Sequence, residues 1–200
     1  MGGVCVLVLI AAHGANSLTA DVRMFHLDME DNLPTWFTSS QHLMAALAAV
    51  LVARFGRDQR RLWLALALIM GLLSFEEIAQ VHDQVEDRVN FNVAQLVLEP
   101  AVGLVVLAVF ITLARRSERS VRRLLLAGAA SLVLAHTMSA LNGTLDLPHY
   151  GIVAASTLEE TFEMLVGTLV LAASAAPALQ AVRAELGSAV RPRREAEGAA

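Results

Sequence analysis

The chain has 200 residues, the length of one domain at the usual ~100–200 residues each. Its composition is 56% apolar and 17% charged, with a mean hydropathy of +0.57, which excludes both a soluble globule and a disordered chain. A net charge of −4 offers no basic footprint for nucleic acid, and a single cysteine, Cys5, excludes a disulfide framework or a Cys-based zinc centre within one chain. An integral membrane protein remains.

Crossing a bilayer takes about 20 apolar residues per helix, and six stretches qualify in chain order: 4–18, 36–53, 62–81, 93–114, 124–141 and 152–176. The first is short and broken by His13 and Asn16. A signal peptide is its rival, but Met1-Gly2-Gly3 gives no basic leader region and no tidy small-x-small cleavage site ends the stretch. A retained helix is therefore expected. The loop after it runs Phe25-His26-Leu27-Asp28-Met29-Glu30-Asp31-Asn32-Leu33-Pro34 and enters span two through Asn32 and Pro34, proline being tolerated in a helix's first turn. Spans two and three are joined by Arg54, Arg57, Arg60 and Arg61, and spans four and five by Arg115, Arg116, Arg119, Arg122 and Arg123. The tail carries Arg183, Arg191, Arg193 and Arg194.

Thus all but Arg23 and Arg88 of the 15 basic residues fall on one side. The positive-inside rule makes that side cytoplasmic. The expected fold is an all-α bundle of six transmembrane helices, both termini cytoplasmic, in a bacterial cytoplasmic membrane. Residues 1–182 form the membrane domain and 183–200 a disordered cytoplasmic tail. Trp36, Trp63 and Tyr150 sit at span ends, where aromatic belt residues belong.

This topology gathers the histidines and most of the acids in the outer half, the exceptions being Asp58, Glu118, Glu185, Glu195 and Glu197. Span three ends in Leu73-Ser74-Phe75-Glu76-Glu77-Ile78-Ala79-Gln80-Val81-His82-Asp83, and span four carries Glu99. His136 lies on span five, and Glu159, Glu160 and Glu163 on span six. A charged side chain at mid-helix costs roughly 2.5–3.5 kcal/mol, so such groups are a functional hypothesis by default. Helical spacing aligns Glu76, Gln80 and Asp83 on one stripe, and Glu160, Glu163 and Gly167 on another. Gly167 and Ser156 would admit a close neighbouring helix. Span three ends on the outer side and span six begins there. The helix dipole therefore opposes charge on Glu76 and Glu77 and favours it on Glu159 and Glu160.

Two uses of this set follow. Glu76, Glu77 and Glu163 are candidate catalytic acids and bases, because carboxylates in unlike environments divide such roles. Glu77, His82, His136, Glu159, Glu160 and Glu163 are candidate ligands of a divalent metal, and carboxylate with imidazole suits Zn, Fe or Mn. The spacing matches no standard metal signature. His13, His26, His42 and His149 read as interfacial or loop residues, although a His42–His136 haem pair stays open.

The stretches Asn32-Leu33-Pro34-Thr35-Trp36-Phe37, Leu73-Ser74-Phe75-Glu76-Glu77 with Val81-His82-Asp83, and Glu159-Glu160-Thr161-Phe162-Glu163-Met164 resemble a group of uncharacterised bacterial multi-span membrane proteins. In that group the span-three motif has Asp-Glu at Glu76-Glu77 and Ile-His-Glu at Val81-His82-Asp83, so the acids here are exchanged in length but not in charge. The resemblance covers spans two to six and implies no particular activity. A more distant similarity of layout, to metal-dependent membrane hydrolases such as alkaline ceramidases, would imply hydrolysis. This chain has one span fewer and lacks their paired histidines, so that similarity is one of layout only.

Two function classes are open. One is a metal-dependent, hydrolase-like membrane enzyme acting on a lipid or small molecule from the outer leaflet. The other is a non-enzymatic proton-coupled carrier, or a membrane assembly or structural protein. A carrier also needs inner access, and the inner halves of spans two, four and five hold few polar groups.

Overall fold

A computed structural model describes residues 33–56, 59–79, 99–144 and 149–198. The expected first span at 4–18 and the loop carrying Arg88 lie outside them. The described residues form five helices and no strand: α1 (Leu33–Phe55), α2 (Arg60–Ala79), α3 (Glu99–Arg116), α4 (Arg119–Thr144) and α5 (His149–Gly198). Each of the last five expected spans has its helix. Among the described residues, four stretches are long and apolar enough to cross a membrane: Thr35–Phe55, Arg60–Ala79, Arg119–Leu141 and Ala154–Gly187. The protein is a multi-pass membrane protein.

The described part of α3 runs over 18 residues from Glu99 to Arg115 and Arg116, and residues 93–98 of the expected span lie outside the described residues. The 34-residue apolar stretch of α5 rises about 51 Å at 1.5 Å per residue. That exceeds a hydrocarbon core of ~30 Å. The helix then continues through Gly198, over the segment expected to be irregular. Its alanines, arginines and glutamates are strong helix formers, which is the physical reason for the difference.

The helices α1 and α2 form a hairpin whose turn is built from two local devices. The Gly56 N–H donates to the Val52 carbonyl at 2.7 Å, and a Cβ at Gly56 would stand 2.6 Å from that oxygen. Only glycine permits so close an approach. After the turn, the Gln59 carbonyl accepts from the N–H groups of Leu62 and Trp63 at 2.9 and 3.1 Å and so starts α2. The Gln59 amide donates to the Arg116 carbonyl at 2.7 Å. That bond ties the α1–α2 turn to the end of α3. Arg122 donates to the carbonyls of Ala114 and Ser117 at 3.2 and 3.3 Å, satisfying orphan acceptors at the same helix end. Both arginine-rich turns therefore lie at one end of the bundle.

Packing runs from α2 to α1, from α1 to α5, from α5 to α4 and from α4 to α3, with a thinner contact between α3 and α2. The shared core is apolar near the arginine end, where Ala45, Ala49, Val52, Leu66, Met70, Phe110, Leu113, Leu125 and Val170 are buried. Large apolar side chains point outward instead, among them Leu43, Leu47, Leu68, Leu72, Leu104 and Val105. Lipid is as apolar as leucine, so such helices keep small and polar groups for their contacts and turn bulk to the bilayer.

Candidate functional site at the glutamate end of the bundle

The inward face of α1 changes character along its length. Toward the arginine end it presents Ala45, Ala49, Val52 and Ala53; toward the other it presents Thr35, Thr38, Ser39, Gln41 and His42, all buried. Polar groups removed from water need partners, and two of these find them on neighbouring helices. The Ser39 hydroxyl donates to the Ser74 carbonyl of α2 at 2.9 Å and lies 3.0 Å from the Ser74 hydroxyl. The Gln41 amide donates to the Thr168 hydroxyl of α5 at 2.8 Å. These bonds fix α1 against α2 on one side and α5 on the other, and they bracket His42.

His42 is 3% exposed. Neither of its ring nitrogens has a hydrogen-bond partner among the described residues. The same is true of the Thr38 hydroxyl, one helical turn earlier on the same face. Gly167 explains how α5 comes so close: a Cβ there would lie 3.1 Å from His42 Cδ2 and 3.0 Å from Gln41 Cβ. The glycine expected to admit a close helix thus packs directly against the polar face of α1.

The glutamates gather above this floor. Glu163, one turn before Gly167, lies within electrostatic range of Glu76 and Glu77 on α2 and of Glu159 and Glu160 on its own helix. Glu76 also acts on His42. All five carboxylate side chains are half-buried. The structure therefore places Glu76 and Glu77 of α2 within electrostatic range of Glu163, beside Glu159 and Glu160 of α5, although the two helices are far apart in the chain. Every described arginine from Arg54 to Arg123 is attached to the opposite end or its turns.

His136 is elsewhere. It stands exposed on α4, with its ring 3.9 Å from the position a Cβ on Gly103 of α3 would take. It was expected to face the glutamates, but its side of α4 faces α3 rather than the α1–α2–α5 junction. His82 lies outside the described residues, as do Gln80 and Asp83, and Glu99 is placed in α3 with no side chain described. Among the described residues, no three histidine, cysteine, aspartate or glutamate side chains are positioned to hold a metal ion.

His42 and its neighbours were missed because a lone histidine near a span end resembles an interfacial residue. A usable signal was present. Thr38-Ser39-Ser40-Gln41-His42 is five polar residues in succession inside an otherwise apolar span, which is costly unless that face is buried against other polar groups.

A family described as a domain of unknown function, DUF8692, has a model that matches residues 2–179. The chain belongs to that family. The matched region takes in α1 to α4, α5 as far as residue 179, and every residue of the glutamate cluster of this DUF8692 member. Searches of curated proteins and of solved structures find no match.

Proposed function

We propose that this DUF8692 protein is a membrane enzyme of hydrolase-like type. It would work in the outer half of the bilayer through Glu76, Glu77 and Glu163 as acid and base groups, on a lipid or small molecule that enters from the outer leaflet. The observation that carries the reading is the junction of α1, α2 and α5. There a buried imidazole whose two nitrogens have no partner among the described residues lies in range of Glu76, near the carboxylates around Glu163. Carboxylates and imidazole in a site shielded from bulk water are the groups that move protons in general acid–base catalysis. The apolar floor of Ala45, Ala49, Met70 and Leu66 beneath them favours a one-sided site over a carrier, which needs a polar path to both faces.

The wider frame of the proposal is a bacterial cytoplasmic membrane protein of six spans with both termini inside. Its arginine end is cytoplasmic, and the bilayer is its partner. A metal version of the reading would place Zn, Fe or Mn among Glu77, Glu159, Glu160 and Glu163 with His82. The described geometry lends it no support.

Protein reconstituted in nanodiscs of bacterial polar lipid, with products followed by mass spectrometry, tests the proposal. Lipid cleavage abolished by Glu163→Gln and by Glu76→Gln is expected. Solute uptake into proteoliposomes without any cleavage product would overturn it in favour of a carrier.

A further inference from the structure

We infer that the polar junction of α1, α2 and α5 takes the primary ammonium group of an amphiphile, whose tail remains in the lipid beside α2. This deepens the proposed function and rests on that reading of the site.

Three observations lead to it. First, the site is built almost wholly of hydrogen-bond acceptors. Four carboxylate groups, Glu76 and Glu77 on α2 and Glu159 and Glu160 on α5, lie within electrostatic range of a fifth, Glu163, and like charges gathered in low dielectric favour a cation or protons among them. Second, the floor holds side chains with unfilled hydrogen-bonding capacity. His42 is 3% exposed and Thr38 fully buried, and their nitrogens and hydroxyl have no partner among the described residues. Buried polar atoms of this kind are paired in most proteins and call for an occupant where they are not. A neutral imidazole supplies one acceptor nitrogen, so the deepest group suits an N–H donor.

Third, the carboxylates are distributed rather than focused on one point. They are spread over two helices, and no three side chains are positioned to ligate a metal ion among the described residues. A transition metal needs its oxygen and nitrogen ligands at about 2.0–2.2 Å. An ammonium accepts a looser shell, with three donors to place at ordinary hydrogen-bond distance. A quaternary ammonium is a poorer fit, because it has no N–H to give to His42 and is usually held by an aromatic cage.

The tail follows from the flank of the site. Phe75 and Ile78 bracket Glu76 and Glu77 in sequence, and both are exposed, as is Leu72. Acid and lipid-facing apolar surface thus alternate along the last turns of α2. A ligand with its head at Glu163 and Glu76 and an alkyl chain along Phe75 and Leu72 would satisfy both surfaces.

The test uses the full chain in a nonionic detergent and measures apparent melting temperature and direct binding with decylamine, decanol, decyltrimethylammonium, zinc chloride and manganese chloride. Decylamine should bind saturably and at least about tenfold more tightly than decanol or decyltrimethylammonium. Glu163→Gln and Glu77→Gln should each weaken decylamine by about tenfold. His42→Ala should weaken it also, and His42→Gln, which restores an acceptor, should recover part of the loss. Two single carboxylate variants guard against one that fails to fold. Equal binding of decanol, stabilisation by zinc or manganese in place of the amine, or undiminished amine binding in both Gln variants would each overturn the inference. Lipid turnover measured on the same preparations separates the two claims. If decylamine fails to bind while Glu163→Gln still abolishes turnover, only the amine assignment falls. If decylamine binds and there is no turnover, the enzyme reading falls and the amine site stands.

Discussion

A methyl group added at Gly167 would strike the helix that carries His42. The Cβ of Gly167→Ala would lie 3.0 Å from Gln41 Cβ, 3.1 Å from His42 Cδ2 and 3.3 Å from Gln41 Oε1. Ordinary carbon contacts settle near 3.5–4.0 Å, so α1 and α5 must separate by several tenths of an ångström or the two side chains must turn. Gln41 is held by Thr168 at 2.8 Å, which resists the second route. Overpacking of a tight core costs about 1–3 kcal/mol. Replacing glycine by alanine in a helix gains about 1 kcal/mol by itself, so the proper comparison is Gly71→Ala, where nothing lies within 4 Å of the added carbon. The account expects Gly167→Ala to be less stable than Gly71→Ala by about 1–3 kcal/mol. At roughly 2–4 °C per kcal/mol for a chain of this size, that is roughly 2–12 °C in apparent melting temperature in mild detergent. Equal melting of the two variants would refute the close approach of α5 to α1, and with it the geometry of the junction.

Other expectations follow from the same contacts. Ser39→Ala should destabilise by about 0.6 kcal/mol, the average for a hydrogen bond between membrane helices, and Ser74→Ala should add little to it in the double variant because the two residues share one link; a double-mutant cycle by thermal unfolding checks this. His42→Leu removes a buried polar group without a partner among the described residues and should leave stability unchanged or raise it by about 1–3 kcal/mol while abolishing lipid turnover, so a variant that is both unstable and active would contradict the assignment. Reporter fusions after Arg57, Arg119 and Arg194 should read cytoplasmic and those near Asp28, Asp87 and Asp146 external; an external signal after Arg119 would reverse the topology.

Much of the architecture was legible because bilayer physics leaves few options. A run of apolar residues long enough to span must be helical, so α1, α2, α4 and α5 appear where hydropathy places them. The arginines mark turns that the Gln59–Arg116 bond then gathers at one end. The row Glu160, Glu163 and Gly167 was legible too, since it depends on helical spacing within one element. What spacing within one helix cannot reveal is the neighbour that each face meets. His136 and His42 look alike in sequence, one polar residue in an apolar span. Only the packing of α1 between α2 and α5 buries His42, while α4 turns His136 toward Gly103. The length of α5 was underestimated for a related reason: hydropathy ends a span where charge begins, but an alanine-, arginine- and glutamate-rich segment has no cause to stop being a helix there.

The central claim is a polar site open to one side of the membrane only. With Cys5 replaced by serine, Glu163→Cys places a single thiol at the junction, and a membrane-impermeant maleimide can be applied to oriented vesicles from either face. Labelling from the face opposite the arginine-rich turns is the predicted result. Labelling from the arginine face would contradict the account.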